Sequence, residues 1–205
     1  MERLLERFNQ IPGWVLGIIS LVIMSIMGIL SYRYYPSHQF KLFLYVVSEL
    51  GAGQGAIFFN GGLIISGVFL IPFFLKLNTY LTEGQSKRLR DLVIILGLIS
   101  SSSYLLLGFF PINIIIHMIL VFNIFFVGML NIVILNFIIS KNHNFIDKFL
   151  IIFGLLYGIS IFLYFFTLIF YYSIHSIFEW IMIIFFSIWV LSHSIYLIYQ
   201  NIKFK

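Results

Sequence analysis

The chain has 205 residues, of which 61% are apolar and only 9% charged, against about 45–50% and about 25% in soluble domains. Too few polar side chains exist to clothe a water-facing globule, so most of the surface must face lipid. The absence of cysteine removes disulfides, thiolate metal centres, iron–sulfur clusters and cysteine nucleophiles, and the net charge of +5 is scattered over short segments rather than gathered in a domain that could hold nucleic acid.

A spanning helix needs about 20 mostly apolar residues, and six such runs occur. They cover about residues 11–32, 56–75, 92–110, 112–140, 149–172 and 178–199. Each is continuously apolar rather than alternating, which predicts helices and not barrel strands. The expected fold is all-α, a single six-helix transmembrane domain over residues 1–205. Ahead of the first run, Leu4, Phe8 and Ile11 recur at helical spacing and predict a short helix on the inner leaflet before Pro12, with a plain charged tail as the alternative. Glu2 and Glu6 among the first charges, with no small-residue cleavage site after the first run, predict a retained span rather than a signal peptide.

Charge sets the expected orientation. Ten Lys and Arg residues fall on the side of the termini: Arg3, Arg7, Lys76, Lys87, Arg88, Arg90, Lys141, Lys148, Lys203 and Lys205. Only Arg33 and Lys41 fall on the other. This split predicts cell-membrane insertion with both termini cytoplasmic. Small residues recur at four-residue spacing as Gly13/Gly17, Gly62/Ser66, Gly97/Ser101 and Gly154/Gly158, which lets helices approach closely, within the bundle or in a homo-oligomer.

The first outer connection is long, and residues 40–47 are apolar but too few to span. This piece is expected on the outer surface or as a re-entrant dip. Gly51, Gly53 and Gly55 follow it, either as a tight turn into the second helix or as a backbone nest for an anionic head group. The segment is no P-loop, since the Lys and Ser/Thr of that motif are missing.

Acidic residues narrow the search further. Glu2, Glu6, Glu83, Asp91 and Asp147 lie in basic cytoplasmic segments and are expected in solvated pairs. Glu49 and Glu179 lie on the outer side beside apolar sequence, with no basic residue within four positions, so each needs a partner from another segment. Asn60 opens the second helix. His117 lies roughly 9 Å below the start of the fourth, and Ile124, Gly128 and Asn131 fall within about 40 degrees of it at about 100 degrees per residue, forming a polar and small stripe that should face the bundle. His193 shares a face with Glu179 but lies roughly 21 Å deeper, in an inner site or in packing. Ser48, Glu49, Asn60, His117 and Glu179 therefore converge at one level as the expected ligand-binding site, or as a network that merely pins the outer loop.

Ser48-Glu49-Leu50-Gly51-Ala52, Phe59-Asn60-Gly61-Gly62 entering a helix, Gly108-Phe109-Phe110-Pro111 followed by His117, and Glu179 opening the last helix resemble the prokaryotic six-helix membrane family known as domain of unknown function 998. That family is distantly similar to eukaryotic autophagy-modulator and GPI-anchor-remodelling membrane proteins, which share a Ser-Asp/Glu motif in the first outer loop. Gln54-Gly55 departs from it, standing where the family often has proline. The resemblance implies six helices, an outer polar cluster and work on or near membrane lipid.

Three functions compete. The first is binding or organising membrane lipid through an outer polar vestibule, without a cofactor or metal. The second is a lipid hydrolase or acyltransferase with Ser48 as nucleophile, His117 as base and Glu49 or Glu179 orienting it, or a variant in which His117 and the two glutamates hold a metal. The third is a small-solute transporter, against which stand the missing internal repeat and the broken line of polar residues His117, Asn131 and His193.

Overall fold

The computed structural model describes residues 10–35, 40–110, 115–141 and 145–203. Six helices in it are long and apolar enough to cross a membrane: α1 (Gly13–Tyr34), α2 (Ala56–Leu81), α3 (Lys87–Leu107), α4 (Ile115–Ile139), α5 (Phe145–Phe170) and α6 (His175–Lys203). No strand occurs among the described residues. The chain is thus an all-α, multi-pass membrane protein. The surface helix expected before Pro12 falls on residues 1–9, and Pro111 on residues 111–114, both outside the described residues.

Several helices run past their apolar cores, because long basic side chains can leave their stems in lipid and carry the charge to the interface. Thus α2 continues to Leu81 through Pro72. Lys76, expected in a connection, lies inside the helix and donates to the Ile11 carbonyl. α3 starts early because the Ser86 hydroxyl accepts from the Leu89 N–H, capping the helix and drawing Lys87, Arg88, Arg90 and Asp91 into its first turns.

Each helix packs on its neighbour in sequence, and α6 closes the ring on α1. The closure depends on small residues. A Cβ at Gly17 would stand 2.3 Å from Ser194 Oγ and 2.8 Å from the Phe73 ring, and one at Gly13 would meet Leu197 and Lys76. Gly62 is pressed on Met27 of α1, Gly97 on Asn78, and Gly154 on Asn136. Most of the small-residue pairs are therefore spent within the chain, while Gly158 faces open space. Outward faces carry exposed Ile29, Ile57, Ile95, Phe137, Phe162 and Ile195, one from each helix, as a lipid-facing surface requires.

Contact between Gly13 and Leu197 puts the starts of α1 and the finish of α6 at one end of the bundle, the terminal end. The connection after α1 lies at the other, the loop end. Towards the terminal end the interior is polar in places. Asn78 of α2 and Asn131 of α4 both donate to the Val93 carbonyl, at 3.0 and 2.7 Å. His193 is fully buried, its Nδ1 2.9 Å from the Trp189 carbonyl and its ring 4.2 Å from the Trp189 ring. Asp147 departs from the expectation of a solvated pair: it is 1% exposed at the start of α5, since that helix begins at residue 145 and carries Asp147 inside.

Candidate functional site

The loop end is organised by the connection between α1 and α2. Phe40 is buried, the chain turns with Phe43 in the left-handed region at φ 65°, and a short 3-10 helix follows at Val47–Gly51. Left-handed φ is costly for a bulky residue, and several bonds hold the chain there. Ser176 Oγ donates to the Phe43 carbonyl at 2.8 Å, and Trp180 Nε1 to the Tyr45 carbonyl at 3.0 Å. On the other flank Ser31 Oγ donates to the Leu50 carbonyl at 3.2 Å, and Asn60 Nδ2 to the Gly51 carbonyl at 3.0 Å. Residues 40–47 thus lie across the end of the bundle and do not dip into it as a helix.

The glycines serve close approach. A Cβ at Gly53 would stand 2.1 Å from the Tyr35 ring, and one at Gly55 2.3 Å from the Ser31 carbonyl oxygen. The nearby N–H groups of Ala52, Ala56 and Phe58 donate to the Glu49, Gly53 and Gly55 carbonyls. The tight turn into α2 expected of this segment is present, and the amides of Ala52, Ala56 and Phe58 are engaged within it.

Beneath the loop lies a cavity of about 790 Å³ to which all six helices contribute, within the range of about 300–1,000 Å³ typical of small-molecule sites. Its deeper walls are apolar, including Leu21 and Met24 of α1, Leu63 of α2, Val121 and Phe125 of α4 and Phe186 of α6. Exposed Ile29, Met118 and Tyr172 also line it, so it communicates with the outside of the bundle. Its polar lining includes Ser48, Glu49, His117 and Glu179, and neither Lys nor Arg lines it among the described residues.

Four of the five residues expected to converge therefore meet on this cavity. Asn60 does not line it, because its amide is spent on Gly51 and fixes the loop. Glu179, 7% exposed, accepts the Ser48 N–H on Oε1 at 3.3 Å, with the Ser48 hydroxyl and the Val47 N–H beside it. Its other oxygen, Oε2, is buried and has no hydrogen-bond partner among the described residues. Glu49 sits close enough for the two carboxylates to feel each other. His117 is 6% exposed, its Nδ1 3.2 Å from the Phe110 carbonyl, and no hydrogen bond joins it to Ser48 among the described residues. Nor do any three His, Asp or Glu side chains among those residues group as a metal site.

Helix α4 presents His117 inward as its stripe predicts, with Ile124 and Asn131 buried too. A π-helical turn at Asn123–Val127 interrupts it beside the cavity. There Ser100 Oγ donates to the Ile124 carbonyl at 2.9 Å, supplying a partner where the regular ladder is broken. Sequence reasoning passed over Ser20, Ser25 and Gly28 of α1 and Tyr104 and Tyr164, which line the cavity. Small residues stepping three to five positions along one face of α1 were the available signal. The tyrosines lie inside apolar runs and carry none. No protein-family model matches the chain, and neither a curated protein nor a solved structure is similar to it.

Proposed function

We propose that this protein binds a membrane lipid in the loop-end cavity, the acyl chain lying along the apolar walls and the head group under the loop at Glu179, Ser48 and Glu49. The cavity carries the reading: it is apolar at depth, polar at one end and open at Ile29 and Met118, and acyl chains are the solute that surrounds such an opening in a bilayer. Binding is favoured over turnover because no hydrogen bond joins His117 to Ser48 among the described residues, the His117 Nδ1 lying instead at the Phe110 carbonyl, whereas a serine nucleophile is activated by a base within hydrogen-bond reach. The loop end faces the exterior and both termini the cytoplasm of the cell membrane, an orientation supported by the ten-to-two division of Lys and Arg. Kinship with the domain of unknown function 998 family belongs to the same proposal and rests on the motifs around Ser48, Asn60 and Glu179.

Gly28 provides the test. It lines the cavity, and a Cβ there meets nothing within 4 Å, so Gly28→Trp should fill space without disturbing the helices. Native mass spectrometry of the purified protein is expected to show a retained lipid in the wild type and its loss in Gly28→Trp. Equal retention by both would sink the proposal.

A further inference from the structure

The lining of the cavity restricts the head group. A buried polar atom without a partner is costly, and a carboxylate oxygen more so. Among the described residues Glu179 Oε2 is such an atom, on a side chain that is more than nine-tenths buried and lines the cavity. An ionised carboxylate only accepts hydrogen bonds, so the ligand complementary to that state donates. Glu49 stands nearby with a second carboxylate. Against these two acids the lining offers no Lys or Arg among the described residues, and its imidazoles among them are His117, whose Nδ1 is bonded to the Phe110 carbonyl, and His175. In the glycine turn the N–H groups of Ala52, Ala56 and Phe58 are engaged within the loop.

Resting on the lipid-binding reading above, we infer that the head group in this cavity is a hydrogen-bond donor without net negative charge, presented to Glu179. An ammonium head, as in phosphatidylethanolamine, or a free hydroxyl, as in diacylglycerol, supplies that chemistry. Phosphatidylcholine does not, since its quaternary nitrogen has no N–H, and phosphatidylglycerol has hydroxyls but brings a net negative charge to two carboxylates.

The experiment is competition among these four lipids, with identical acyl chains, for the delipidated full-length protein, read by native mass spectrometry. Phosphatidylethanolamine or diacylglycerol is expected to be retained at least about tenfold over phosphatidylcholine, the size of one charge-assisted hydrogen bond, and over phosphatidylglycerol; which of the two leads identifies the source of the donor. Glu179→Leu should collapse the preference to within about twofold. Glu179→Gln, which keeps the shape and removes the charge, should cut it to about threefold, because neutral hydrogen bonds are roughly half as strong. Retained phosphatidylcholine at parity, preferential phosphatidylglycerol, or an unchanged preference in both variants overturns the inference while leaving the cavity reading intact. Retention no greater than in Gly28→Trp means instead that the cavity reading itself has failed.

Discussion

Gly55→Ala isolates what holds the loop over the cavity. Gly55 caps α2 with φ −82° and ψ 6°, a conformation open to any residue, so the added methyl acts through space alone. Its Cβ would lie 2.3 Å from the Ser31 oxygen and 2.7 and 2.8 Å from the Ser31 Cα and carbonyl carbon, about 1 Å inside ordinary contact. These are backbone atoms and cannot swing aside. The Ser31 carbonyl also accepts the Tyr35 N–H at 3.0 Å, and its hydroxyl holds Leu50, so relief requires α1 and α2 to part. Overpacking costs about 1–3 kcal/mol, and immovable neighbours place this case at about 3 kcal/mol. For a chain of this size that corresponds to a fall in Tm of about 6–12 °C. The assay is thermal unfolding in detergent followed by tryptophan fluorescence, with Gly28→Ala as the control that meets nothing within 4 Å. A Gly55→Ala transition within about 2 °C of that control would refute the close-approach account of the loop.

Three further outcomes are expected. Gly97→Ala places a Cβ 2.1 Å from Asn78 Nδ2, the movable tip of a side chain; Asn78 should surrender its bond to Val93 while Asn131 keeps its own, so the loss in unfolding free energy should stay near about 1 kcal/mol, and a loss as large as that of Gly55→Ala would contradict the shared-acceptor arrangement. Asn60→Leu removes the donor to the Gly51 carbonyl and should cost about 1–2 kcal/mol while leaving the lipid head-group preference unchanged; abolition of that preference would place Asn60 in the site. Because the chain has no cysteine, single cysteines can be read cleanly: one at Lys41 should react with an impermeant maleimide on intact cells and one at Glu83 only after lysis, and the reverse pattern would invert the proposed orientation.

How far the sequence speaks can be followed through particular residues. The six spans are legible because continuous apolarity is a property of each segment alone, needing no knowledge of its neighbours. Their ends are less so: Ser86 caps α3 six residues before the apolar run begins, and Lys76 and Asp147 lie inside helices because length and capping, not charge, set the boundary. The inward turn of His117 followed from its spacing to Ile124 and Asn131, and survives a π-helical turn that no composition announces. Convergence at the loop end followed from depth, which helical rise supplies. Partnership did not. That Asn60 turns to Gly51 while Glu179 turns to Ser48 depends on where the loop crosses the bundle, and that crossing is set by the close packing of Gly53 and Gly55. The α1 wall stayed hidden because serine and glycine in an apolar run read as packing until a facing cavity gives them something to line.

The central claim is that an acyl chain lies inside the bundle as well as around it. Photo-crosslinking with a lipid bearing a diazirine on its acyl chain, followed by peptide mapping, addresses this directly. Labelling is expected at Val121, Leu168 and Phe186 on the cavity wall in the wild type, and should vanish there in Gly28→Trp while persisting at the outward-facing Ile159 and Phe162. Labelling confined to Ile159, Phe162 and their like in both proteins would show that lipid touches only the outside, and would contradict the account.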